Sequence, residues 1–161
     1  MAQIIMTKEF LGGLGEHYFK HFSFPNSFGY LRLEEIHGKL PSQVLDFKFK
    51  FKRIPIIIPP SLIDEITRIS KPTLVNGTRS FVFDFLTCKL SQGDSTEKPN
   101  PRDPHAFCWV EIKAGSGHLS HHQFQVKQTC KMRFGIFKIR NVMSSPSDVE
   151  IDWEFDSRRF S

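Results

Sequence analysis

The chain has 161 residues, with 22 Lys and Arg against 17 Asp and Glu, and 17 Phe against 2 Tyr and 2 Trp. That length suits one domain burying about two thirds of its unfolded surface, and a net charge of +5 with a pI near 9.2 favours phosphate-bearing partners, either nucleic acid or an anionic leaflet. Cys88, Cys108 and Cys130 are three in number and form no C-x-x-C pair, which argues against a secreted disulfide framework, and reduced thiols in an intracellular, unsecreted protein are expected. Residues 1–10 carry no signal-peptide pattern and no run nears the ~18 apolar residues of a membrane span, so a membrane role is expected to be peripheral.

Residues 1–40 form an aromatic segment. Leu11-Gly12-Gly13-Leu14-Gly15 is too glycine-rich for a helix interior, and Phe19, Phe22, Phe24 and Phe28 recur without a period. Rings this dense are rarely left in water, so the segment is expected to pack on the core or on a neighbouring copy. Tyr30-Leu31-Arg32-Leu33 reads as a short strand. Residues 41–161 read as a single α+β domain.

Leu45 to Ile54 alternates apolar and basic residues, a pattern that an extended strand sorts onto two faces. Leu45, Phe47, Phe49 and Phe51 fall on one side, and Lys48, Lys50 and Lys52 on the other. Ile54 to Ile58 is followed by an amphipathic helix over Leu62–Ile69, with Ser61 and Asp64 in a capping spacing. Asn76-Gly77 marks a tight turn within Thr73 to Arg79. Phe81 to Leu90 is apolar on both faces and reads as a central strand. Ser91 to His105, with Pro99, Pro101 and Pro104, reads as a mobile loop.

Ala106 to Lys113 is a further strand. His122 to Phe134 alternates, with Phe124, Val126, Cys130, Met132 and Phe134 expected inward, and Gly135 marks a bulge before Ile136 to Val142. Asp148 to Asp156 alternates acids with Val149, Ile151, Trp153 and Phe155. As a hairpin partner of the preceding strand, this acidic ladder sits beside Lys138 and Arg140, or opposite Lys131 and Arg133 in a shifted register. The predicted fold is therefore α+β: a mainly antiparallel twisted sheet with one or two short helices packed on it.

No catalytic constellation emerges. His105, Cys108, His118, His121 and His122 fit no common zinc spacing, so no metal or cofactor is expected. The cysteines lie within strand patterns where burial raises a thiol's pKa, against a nucleophile. Gly12-Gly13-Leu14-Gly15 lacks the strand and lysine of a phosphate loop, and paired carboxylates occur only on the final strand. A base-stacking platform is disfavoured because the rings and lysines of Leu45–Ile54 face opposite ways, whereas phosphate contact through the lysine row fits.

The order of elements carries a resemblance. The Phe-rich strand from Val44 to Ile54, the helix over Leu62–Ile69, the Asn-Gly turn into Phe81-Val82-Phe83, the polar loop, and the long strands ending in Asp152-Trp153-Glu154-Phe155 and Arg158-Arg159-Phe160 are similar to the layout of rhabdovirus matrix proteins, over roughly Tyr30 to Phe160. The compact matrix proteins of plant-infecting members are the nearer likeness: Pro59-Pro60-Ser61-Leu62 lacks the tyrosine of the budding motif found in animal-infecting members, and no lysine-rich arm begins the chain.

The resemblance implies a non-enzymatic viral matrix protein that self-associates and bridges ribonucleoprotein and the inner face of an anionic membrane. Its expected location is the virion and the infected-cell cytoplasm, with no small-molecule substrate. On that reading Lys48, Lys50, Lys52, Arg53, Arg158 and Arg159 contact phosphate or lipid, while Phe19, Phe22, Phe24, Phe28, Pro99 and Pro101 meet a neighbouring copy. A small viral RNA-binding protein of the movement or silencing-suppressor type is the alternative.

Overall fold

The computed structural model describes residues 16–17, 19–20, 28–39, 43–49, 52–90, 101, 104–114, 118–139 and 151–156. Seven strands form one sheet in the order β3-β2-β1-β6-β7-β8-β9. They are β1 (Phe28–Arg32), β2 (Val44–Lys48), β3 (Arg53–Ile57), β6 (Phe85–Lys89), β7 (Phe107–Ala114), β8 (Arg133–Ile139) and β9 (Ile151–Asp156). Among the described residues the short strands β4 (Thr73–Val75) and β5 (Thr78–Ser80) pair only with each other. The helices are α1 (Leu33–His37), α2 (Pro60–Ile69) and α3 (His121–Thr129), and residues 16–17 and 19–20 are also helical. This is the predicted α+β class. Every pairing in the large sheet is antiparallel except β7 with β8, whose parallel arrangement requires the crossover that α3 supplies.

Register explains the core. Leu31, Leu86, Trp109 and Phe134 are successive cross-strand partners, and all four are buried in one cluster with Leu62, Ile66 and Ile69 of α2. Alternation turns their neighbours to the other face. There Phe19 stacks on Phe85 at 4.7 Å between ring centroids and meets Phe137 and Tyr30 edge-on. Both faces of β6 are thus covered, as its doubly apolar sequence predicts. Phe19, expected either to pack on the core or to meet another copy, is fully buried in its own chain, because its ring fills the second face of the sheet.

Several boundaries differ from expectation. Leu45 to Ile54 is not one strand: the chain folds back after Lys48, Phe49 N–H donating to the carbonyl of Lys52, and β3 returns beside β2. Gly29 permits this packing, since a Cβ there would meet the Phe49 ring at 2.5 Å. The stretch predicted as a strand from His122 is α3, preceded by a capping box in which Ser120 and Gln123 exchange side-chain and backbone hydrogen bonds. Phe124 is accordingly exposed rather than inward. Gly135 is an in-register residue of β8, not a bulge. Ser61 does not cap α2, which begins at Pro60, a residue suited to the first turn because its missing N–H is not needed there.

Asn76-Gly77 turns as expected, with φ of 52° and 78°, the left-handed pair that a two-residue hairpin requires. The acidic ladder pairs with β8, placing Asp152 across from Lys138. Most of the loop 91–105 lies outside the described residues, but Pro101 is buried and Pro104–Ala106 forms a 3-10 turn.

Candidate anion-binding groove

The predicted basic row divides when the structure places its members. Lys48 and Arg53 are cross-strand partners, and like charges placed opposite one another repel. The carboxylate of Glu35, from α1, lies between them, 3.5 Å from Lys48 and 3.8 Å from Arg53. Those two cations are therefore partly neutralised inside the chain. Lys52 is exposed at the turn, and Lys50, Arg158 and Arg159 lie outside the described residues. Of the predicted self-contact residues, Phe28 is half-buried in β1 with the Lys89 ammonium 5.7 Å from its ring centroid, and the buried Pro101 presents no ring to a neighbour. Phe22, Phe24 and Pro99 are also outside the described set.

A different cationic surface surrounds a cavity of about 580 Å³ where the end of α2, the root of the β4–β5 hairpin and the start of α3 converge. Arg68, Lys71 and Lys113 supply its charge, Thr73, Ser80, Ser120, His122 and Gln123 its hydroxyl, imidazole and amide groups, and Ile69, Phe81, Val82 and Val126 its apolar floor. Among the described residues the lining contains no carboxylate. Arg68 donates to the hydroxyl of Thr129 at 3.0 Å and to its carbonyl at 3.4 Å, tying α2 to α3 while keeping its charge. The N-terminal end of α3 opens here, and its dipole adds a positive partial charge. Gln123 locks that end by donating to the carbonyl of Val82 at 2.9 Å.

Beneath the groove is a carboxyl pair that the linear pattern hid. Asp84 lies just before β6, where its carboxyl accepts from Ile112 N–H at 2.8 Å and so extends the edge that β6 presents to β7. Glu111, buried in β7, is its electrostatic neighbour. Burial, reinforced by Asp84, pushes Glu111 up to about 8, and burial likewise raises Asp84. Lys113 Nζ lies 3.5 Å from Glu111. With its pKa raised, Glu111 pairs more weakly with Lys113 than an ordinary carboxylate would.

Glu65 is a second hidden polar centre. Buried on α2, it accepts from the Trp109 indole at 3.2 Å and from the backbone N–H groups of Lys131 and Met132. It thereby satisfies the chain between α3 and β8 and fixes the end of α3. The thiols sit apart from this chemistry: all three cysteines are buried, and burial pushes Cys108 up to about 12. His105, His118, His121 and His122 are exposed while Cys108 is inside β7, and among the described residues no group of three or more metal-binding side chains comes together. No described helix is long and apolar enough to cross a membrane. No protein-family model, curated sequence or solved structure matches the chain.

Proposed function

We propose that this chain is a non-enzymatic, matrix-type structural protein that holds phosphate-bearing partners, ribonucleoprotein and the inner face of an anionic membrane, and associates with copies of itself. The observation that supports this reading best is the groove: Arg68, Lys71 and Lys113 around one concavity, with no carboxylate among its described lining residues. A phosphate-bearing chain or headgroup array meets there a field that the net charge of +5 reinforces at longer range. A sequence layout similar to that of rhabdovirus matrix proteins, from Val44 through Phe160, supplies the biological frame.

Co-flotation of the full chain with phosphatidylserine-containing and pure phosphatidylcholine vesicles, together with RNA titration and sedimentation velocity, tests the reading. Salt-sensitive binding to the anionic vesicles and to RNA, with concentration-dependent assembly, is the expected result. Tight RNA binding by a monomer that ignores both vesicles would instead make it an RNA-binding protein of the movement or silencing-suppressor type.

A further inference from the structure

We infer that the β4–β5 hairpin is a membrane-inserting wedge, its apolar tip entering the interface of an anionic leaflet while the basic groove at its root holds the headgroup phosphates. The inference rests on the phosphate-binding reading of that groove and adds the source of the phosphate and the depth of the contact. All six residues of the two strands are exposed. Leu74 is 76% and Val75 54% exposed, the two most exposed of the large described hydrophobics. As successive strand residues they point to opposite faces, so both faces of the hairpin carry an exposed aliphatic group beside the turn.

The charge around the tip is one-sided. From Lys71 to Ser80 the sequence contains Lys71 and Arg79 and no acid. Arg79 is the direct cross-strand partner of Leu74, so a cation stands beside the most exposed aliphatic residue. Thr73 and Ser80 close the hairpin, the Thr73 hydroxyl donating to the Ser80 carbonyl at 3.4 Å. The same two residues line the groove, with Arg68 and Lys71. Apolar tip, flanking cations and a cationic concavity thus follow one another along a few residues, in the order in which acyl region and phosphates are met from inside a leaflet. The left-handed Asn76-Gly77 turn keeps the tip narrow. Neither strand is bonded to the main sheet, so the hairpin projects without exposing the core.

The test uses the full chain. A Val75→Cys variant is labelled with an environment-sensitive fluorophore, the three native thiols being buried. It is then mixed with phosphatidylcholine vesicles with or without phosphatidylserine, and with vesicles brominated in the acyl region. A blue shift and bromine quenching only with the anionic vesicles are expected. The Leu74→Ser/Val75→Ser variant, altered only at exposed positions, should lose about tenfold in vesicle affinity and keep its RNA affinity. Co-flotation with a water-like label would overturn the wedge and leave phosphate binding by the groove standing. An equal loss of RNA binding in the serine variant would also overturn it, placing the hairpin in a nucleic-acid surface. Failure of unlabelled wild-type protein to bind either anionic vesicles or RNA would remove the groove reading and the wedge together.

Discussion

Glu65 shows how much one side chain decides. Its carboxylate receives three donors, two of them backbone amides that have no strand partner at that point. An unsatisfied buried donor costs roughly 1–3 kcal/mol, so Glu65→Ala should lower unfolding free energy by about 3 kcal/mol, measured by urea titration followed through the buried Trp109. A loss well under 1 kcal/mol would mean that water or another group replaces the carboxylate. Glu111 acts in the opposite sense. Its folded-state pKa of about 8 lies above the ordinary 4.5, so the native state retains a proton that the unfolded chain releases. The stabilising contribution is complete below about pH 4.5 and is lost as pH rises through about 8. Asp84 shifts in the same direction, while Lys113 and Gln123 oppose it at Glu111. Glu111→Gln, which keeps the size of the side chain but cannot ionise, should flatten this fall in stability between pH 5 and 8; an unchanged slope would assign the pH dependence elsewhere.

At the scale of elements, the sequence was most readable where a local rule had one solution. The Asn-Gly turn, the doubly apolar β6, the α2 stripe and the pairing of the acidic strand with β8 all follow from periodicity or turn chemistry. Structure and periodicity part where two periods compete. Gln123 to Lys127 alternates like a strand, yet Ser120 and Gln123 form the capping box that starts α3; the cap was visible in the sequence and outweighed the short alternation. Ser120→Ala should cost about 1 kcal/mol in thermal unfolding and weaken anion binding by loosening the rim of the groove; intact binding and stability would show that Gln123 holds the helix start alone. The Leu45–Ile54 alternation was equally misleading, because nothing local reveals that α1 brings Glu35 between Lys48 and Arg53. Asp84 and Glu111 meet only through strand pairing, so spacing along the chain could not disclose them.

For the whole molecule, the decisive property is where the positive charge remains uncompensated. The acidic strand lies at one edge of the sheet and the Lys48–Arg53 hairpin at the other, but Glu35 relieves the latter. The groove assembled from α2, the β4–β5 hairpin and α3 has no carboxylate among its described lining residues. Binding of polyanions should therefore depend on the groove more than on the strand row from which the sequence suggested it. The direct measurement is the salt dependence of anionic-vesicle and RNA affinity for two double reversals, Arg68→Glu/Lys71→Glu in the groove and Lys48→Glu/Lys52→Glu on the hairpin. With each basic residue near an anionic surface worth about 1 kcal/mol, the groove variant should lose more than tenfold and show a flattened salt slope, and the hairpin variant should lose markedly less. Equal losses, or a greater loss in the hairpin variant, would contradict the groove as the principal anion-binding surface.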